Sequence, residues 1–289
     1  MSDHISPKQV AQAIGVSESS IKRWCDLGQL AFYKTAGGHR RLKTKDVINF
    51  CQANGQQIKL PELLGLPSNT GRQNLGIDRA ANLFTKYLRL GDEESLLRIL
   101  IDLKIAGFSV PKICDQVIAM AFFEIGGLWS KGDIDIFEER LGSSTILKVL
   151  ARFSEFLAPE AKSQSPIAIG ASLEGDHYEV ANSLVEICLK SLSWNPKSLG
   201  SNLPLHTLEE AIKKIQPHLF WLSVSSNLDD EILQKSLATL SVLCSHHNIY
   251  FVVGGRRINS SVQTTLPLNA HYFENMQTMD EWISGLKPT

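Results

Sequence analysis

The cysteines of this 289-residue chain form no pattern. Cys25, Cys51, Cys114, Cys188 and Cys244 are odd in number and far apart, and no Cys-x-x-Cys pair occurs. That spacing argues against both a zinc site on paired cysteines and a disulfide framework. Long apolar runs are missing as well: none approaches the roughly 18 residues that span a bilayer. The polar start Met1-Ser2-Asp3-His4 lacks the apolar stretch of a secretion signal. Nor is there an excess of charge of one sign. The formal net charge is -1, with 20% of residues charged, so the chain as a whole is not a polybasic nucleic-acid coat. A Walker loop, a catalytic triad pattern and a paired-carboxylate site are absent, which leaves an enzyme as the weakest reading. The expectation is a cytoplasmic protein of a reducing compartment, without a membrane partner and without catalysis.

What is present is enough for a core, at 43% hydrophobic residues, and a length that suggests two or three domains. Charge is uneven along the chain. Residues 1–54 hold eight Lys/Arg against four Asp/Glu, and the rest carries the acidic excess. A local basic excess is the footprint of a polyanion partner.

The first 54 residues read as a winged helix-turn-helix. Ser6 and Pro7 suit the N-cap and first position of a helix that Gly15 ends. Ser17 caps a second helix, Glu18 to Leu27, with Ile21, Trp24 and Cys25 inward and Gly28 as a left-handed stop. Its outward residues Ser19, Ser20, Lys22 and Arg23 can reach phosphates or base edges in a major groove. Phe32/Tyr33 and Arg41/Leu42 predict the strands of a wing, with Gly37-Gly38 in its turn and the basic residues Lys34, His39, Arg40 and Arg41 as DNA-binding candidates. A third helix runs from Thr44 to Ala53. Trp24 is expected in the core.

Residues 55–75 are dense in Gly, Pro, Ser and Asn and read as a linker, with room for a short turn near Glu62-Leu63-Leu64. Residues 76–160 have helical periodicity in four segments: Asp78–Leu90, Glu93–Ala106, Lys112–Ser130 and Asp135–Leu157. They predict a four-helix bundle. From residue 161 to 289 strands and helices alternate, which predicts a parallel α/β sheet. The fold class expected is multidomain: a winged helix-turn-helix, a four-helix bundle and a Rossmann-like α/β domain.

The wing Thr35-Ala36-Gly37-Gly38-His39-Arg40-Arg41, with Trp24 and Lys45-Asp46-Val47, resembles the DNA-binding domain of MerR-type and excisionase-type regulators. In the α/β half, Glu174-Gly175-Asp176-His177-Tyr178-Glu179-Val180-Ala181 follows a strand. It stands where cobalamin-binding domains carry Asp-x-His-x-x-Gly, the His ligating cobalt. Ser223-Val224-Ser225 and Gly254-Gly255 resemble that family's later motifs, the glycines clearing the path of a nucleotide tail. In the bundle, Trp129 and Glu139-Arg140 resemble the Trp and Glu-His that cap the cofactor in cobalamin-dependent photoreceptor repressors. The resemblance therefore implies a repressor that binds double-stranded DNA as a dimer or tetramer. Its sites would be Trp129, Glu139, Arg140, Asp176, His177, Tyr178, Ser223, Ser225, Gly254 and Gly255.

Tyr178, Ala181 and Arg140 replace family residues, and phenol is a poor neutral cobalt donor. The ligand thus stays open among heme, with Tyr178 or His177 as axial ligand, biliverdin, cobalamin or none, with a protein partner as the further alternative. Other readings are a cobalamin- and light-dependent photoreceptor, a cofactor-independent regulator and, last, a methyltransferase accessory.

Overall fold

The structure is a computed structural model that describes residues 4–71, 75–157 and 165–286. The chain divides into two compact units, Met1–Leu157 and Ala158–Thr289.

In the first unit, α1 (Pro7–Ile14) starts at a capping box in which Ser6 and Gln9 exchange bonds, and stops at Gly15 with φ 77°. The helix α2 (Glu18–Asp26) is capped by the Ser17 hydroxyl, and Gly28 beyond it takes φ 71°. Strands β1 (Tyr33–Lys34) and β2 (Arg40–Arg41) pair antiparallel as the wing, followed by α3 (Thr44–Ala53). The wing strands sit one residue nearer the turn than the sequence predicts. The turn closes through Gly38 N–H to Thr35 C=O and Thr35 N–H to His39 C=O, which pulls Lys34 and Arg40 into register.

Residues 55–71 pack rather than dangle. Lys59 N–H and Leu60 N–H donate to Ala13 C=O at 2.7 and 3.0 Å. A 3-10 turn, Pro61–Leu64, buries Leu64, whose carbonyl accepts from Thr44 Oγ1. Gly71 N–H reaches the buried Asp102 carboxylate at 2.7 Å.

The bundle consists of α4 (Ile77–Leu90), α5 (Glu93–Ile105), α6 (Val110–Ile113), a π-helical segment (Cys114–Ala119), α7 (Met120–Ser130) and α8 (Ile136–Leu157). The dihedrals stay helical from α6 through α7, so these make one continuous helix. It begins two residues before the expected Lys112, because Ser109 caps it and Pro111 fits the first turn, where no N–H is needed. Leu96, Leu100, Leu103, Ile118, Val149 and Phe153 are among the buried side chains that form its core.

The second unit is a five-stranded parallel sheet of order β4-β3-β5-β6-β7. In chain order it runs β3 (Ile167–Ser172), α9 (Val180–Ser191), β4 (Asn195–Ser198), α10 (Leu205–Ile215), β5 (Leu219–Ser223), α11 (Asp230–His246), β6 (Tyr250–Gly254), α12 (Ser260–Gln263), β7 (Ala270–Tyr272) and α13 (Met276–Gly285). The helices α10 and α13 begin three residues before their first buried apolar residues, Leu208 and Met279. Pro204 and Asn275 set those starts.

The two faces of the sheet differ. Ile169, Ala171, Phe220, Leu222, Val224, Phe251 and Val253 form an aliphatic and aromatic layer with Leu208 and Ile212 of α10 and Leu233, Leu237 and Leu240 of α11. The other face carries α9 and α13, where Trp282 contacts the rings of Tyr250, His271 and Phe273. The strand order reverses direction at β3 and β5, so the loops leaving them flank the switch point where open α/β sheets hold ligands.

Candidate functional site

Two surfaces carry most of the residues singled out in the sequence, one in each unit, and the bundle carries Trp129, Glu139 and Arg140. The first is the winged helix. Trp24 packs on Phe50 at a ring separation of 4.8 Å, as a core residue. On α2 the Ser19 and Ser20 hydroxyls each lie 2.8 Å from Ser17 Oγ, and Lys22 pairs with Glu18 at 2.8 Å. Arg23, Lys34 and His39 are exposed.

The wing arginines are engaged by the protein itself. Arg40 forms a fork with Asp26, Nη2 to Oδ1 at 2.7 Å and Nη1 to Oδ2 at 3.2 Å. Its Nη1 also donates to Lys22 C=O at 3.1 Å, and its guanidinium lies 5.1 Å from the Phe32 ring centroid. Arg41 Nη1 donates to Arg40 C=O at 2.9 Å. Arg40 therefore clamps the wing onto the end of α2. Sequence reasoning missed Asp26, although the signal was there. An acid in the last turn of a helix opposes the helix dipole and needs a cation nearby.

In the bundle, Trp129 is half exposed, and Met120, Phe123, Ile136, Phe137 and Leu141 are exposed too. Glu139 accepts from Ser143 Oγ at 3.2 Å and lies 3.6 Å from Arg140 Nε, with most of the Arg140 side chain in solvent.

The second surface is the C-terminal edge of the sheet. Asp176 is fully buried. Its carboxylate accepts from Ser225 N–H at 2.5 Å, Ser226 Oγ at 3.0 Å and Tyr178 N–H at 3.1 Å. Its carbonyl accepts from Asn202 N–H at 2.8 Å. One side chain thus ties together the loops after β3 and β5, and its backbone ties in the loop after β4. His177 is exposed beside it. Tyr178 is exposed as well, with the Arg256 guanidinium 5.1 Å from its ring centroid.

Gly255 has φ 109°, and a Cβ there would meet Val224 C=O at 2.2 Å. The chain's own backbone therefore demands that glycine. Gly254 is less constrained, a Cβ meeting Phe273 C=O at 3.3 Å. Ser223 Oγ is buried without a hydrogen-bond partner among the described residues. No group of three or more His, Cys, Asp or Glu could hold a metal among the described residues. No helix of those residues is long and apolar enough to cross a membrane. Asn182, Trp221 and Arg256 are absent from the sequence-derived site, yet they form the most specific contacts near this edge. Trp221 Nε1 donates to Asn182 Oδ1 at 2.9 Å.

Residues 5–55 match the family described as a helix-turn-helix domain. Over 280 residues the chain is 21% identical to the HTH-type transcriptional repressor CarA of Myxococcus xanthus, covering 94% of this chain and 93% of that protein. The monomethylamine corrinoid protein of Methanosarcina barkeri superposes with a TM-score of 0.59 at 13% identity, over 72% of this chain and 98% of that one. A cobalamin-binding protein from Desulfitobacterium hafniense DCB-2 aligns at a TM-score of 0.37 and 12% identity, over 71% and 97% of the two chains. The helix-turn-helix match, the likeness to the repressor and the superposition at a TM-score of 0.59 define the class: a helix-turn-helix DNA-binding regulator with a cobalamin-binding-like domain.

The fold implies a corrinoid, and the residues present do not fit one held by a His–cobalt bond. By the motif resemblance Tyr178 stands at the position of that His, a phenol whose ring lies under the Arg256 guanidinium. The Asp176 carboxylate, already taking three protein donors, is spent on bracing loops.

Proposed function

We propose that the chain is a transcriptional repressor that binds operator DNA as a homo-oligomer and answers to a ligand other than His-ligated cobalamin. The winged helix carries the DNA half of this reading. The exposed polar side of α2 enters the major groove, and Arg23, Lys34 and His39 meet phosphates or base edges. Arg40 contributes by holding the wing in place. The likeness to the Myxococcus repressor, spread over nearly the whole chain, supports repression rather than catalysis.

Tyr178 and Arg256 support the sensing half. An exposed ring with a cation on its face, at the switch-point edge, suits a flat ligand bearing a carboxylate. A tetrapyrrole such as biliverdin or heme has both properties. Heme iron would accept Tyr178 or His177 as a ligand. A cofactor-independent regulator is the second reading. It is favoured by Asp176 and Gly255, which the protein's own contacts account for completely.

Visible spectra of protein purified from hosts supplied with biliverdin, heme or cobalamin test the sensing half. The proposal expects absorption with biliverdin or heme that Arg256→Ala weakens. A colourless protein under all three conditions supports the second reading. Colour only with cobalamin sinks both.

A further inference from the structure

Beneath α9 the sheet presents an unusual surface. Ser172, Ser223 and Gly254 form one row of paired neighbours across β3, β5 and β6, and Gly170, two residues before Ser172 on the same face of β3, pairs with Trp221. The opposite face of the same strands is filled by branched and aromatic residues. A row of small residues on a buried sheet face leaves a trough, and a packed interior does not leave such a space empty.

The indole of Trp221 fills it. Trp221 pairs with Gly170 across the strands, and a Cβ on Gly170 would land 2.0 Å from indole Cδ2. Trp221 as a whole is 1% exposed. Its Nε1 donates to Asn182 Oδ1, and Asn182 Nδ2 donates to Ser172 Oγ at 2.9 Å and to Gly200 C=O at 3.3 Å. Asn182 is itself fully buried on α9, so the ring is gripped between strand and helix by a satisfied polar network. Ser223, two residues along β5 on the same face, keeps a buried hydroxyl without a partner among the described residues. An apolar core position would have no use for that group.

We infer that this trough is a binding slot for a flat bicyclic heteroaromatic ring, and that the chain fills it with its own Trp221. Indole and benzimidazole have the same shape and nearly the same size. The benzimidazole of cobalamin's nucleotide tail is therefore the external group that Trp221 displaces. A ligand of the α/β unit must then lie at the rim, near Tyr178 and Arg256, and carry no nucleotide tail. Only this consequence for ligand choice rests on the sensor reading above. The slot is read directly by the variants below.

The test uses the full chain with three probes: hydroxocobalamin, tail-less dicyanocobinamide and free indole. The wild type should show no preference for cobalamin over cobinamide, whether or not either binds, and indole should leave its melting temperature unchanged. Trp221→Gly empties the slot. Indole should then raise the melting temperature, as an aromatic molecule fills an engineered apolar cavity. Cobalamin should also outbind cobinamide by about tenfold or more, the gain from burying one aromatic bicycle. The milder Trp221→Leu, which keeps part of the packing, should show the same indole response in weaker form and stands in if the glycine variant does not fold. A wild type that prefers cobalamin over cobinamide about tenfold overturns the inference, as does a folded Trp221 variant that responds to neither indole nor the tail. A failed visible spectrum with biliverdin or heme leaves these results intact, so the slot and the sensor reading fail separately.

Discussion

Arg40→Ala separates two roles that a wing arginine can have. As a phosphate contact it would act only on the complex. As a brace it acts on the free protein. The brace comprises a two-pronged ion pair with Asp26, a bond to Lys22 C=O and a guanidinium over Phe32. The Arg40 side chain is 25% exposed and that of Asp26 59%, so the ion pair is discounted to about 0.5–1 kcal/mol. The carbonyl bond adds about 0.5–1 kcal/mol and the ring contact about 0.5 kcal/mol. Loss of the side chain should therefore destabilise the winged helix by about 1.5–2.5 kcal/mol.

Urea unfolding of the wild type, Arg40→Ala, Asp26→Ala and the double variant measures this. The coupling between the two side chains should be about 0.5–1 kcal/mol. Salt titration of operator binding adds the second readout. Removing a phosphate contact lowers the slope by about 0.9. Arg23→Ala and Lys34→Ala should each do so, while Arg40→Ala should weaken binding with a smaller change in slope. Zero coupling to Asp26 together with a full unit of lost slope would refute the brace.

Burial pushes the Asp102 carboxyl up to about 6, opposed by the Gly71 N–H bond and the Arg98 charge. Its folded value lies above its unfolded one, near 4. Its contribution to stability is therefore full below about pH 4 and lost as pH rises through about 6. Asp102→Asn keeps an acceptor for Gly71 and removes the buried charge. It should raise stability at neutral pH by up to about 1–2 kcal/mol and flatten the stability profile across that window, measured by urea unfolding against pH. Gly255→Ala meets Val224 C=O at a left-handed φ and should cost about 3 kcal/mol or more, read from the melting temperature. Gly170→Ala should be similarly harmful, because its methyl lands in the indole, and Trp221→Leu in the same chain should relieve it.

Much of the fold was written in local signals. Ser6-Pro7, Gly15 and Gly28 mark helix ends because caps and left-handed stops have strong residue preferences. The same holds for Gly91 in the bundle. The π-helical segment Cys114–Ala119 was not legible, since its apolar spacing resembles that of an ordinary helix. Residues 55–71 looked like a linker because turn formers dominate them. What fixes them is a set of backbone N–H groups donating to the Ala13 carbonyl and the Asp102 carboxylate, which distant parts of the chain supply.

The candidate site divides in the same way. Asp176 and Tyr178 were visible as a motif. The Asn182–Trp221–Gly170 arrangement was not, because it depends on which strands become neighbours. Arg40 looked like a cation for DNA because the acid that holds it lies fourteen residues earlier in the chain, on another element.

Repression depends most directly on whether the winged helix reads sequence. Selection of duplexes from a random pool by the full chain measures this. Paired, inverted half-sites spaced by about one helical turn or a multiple of it should be enriched. Arg23→Ala should lose that enrichment while remaining folded. A pool that stays random, or a motif that Arg23→Ala still selects, would overturn sequence reading by the winged helix.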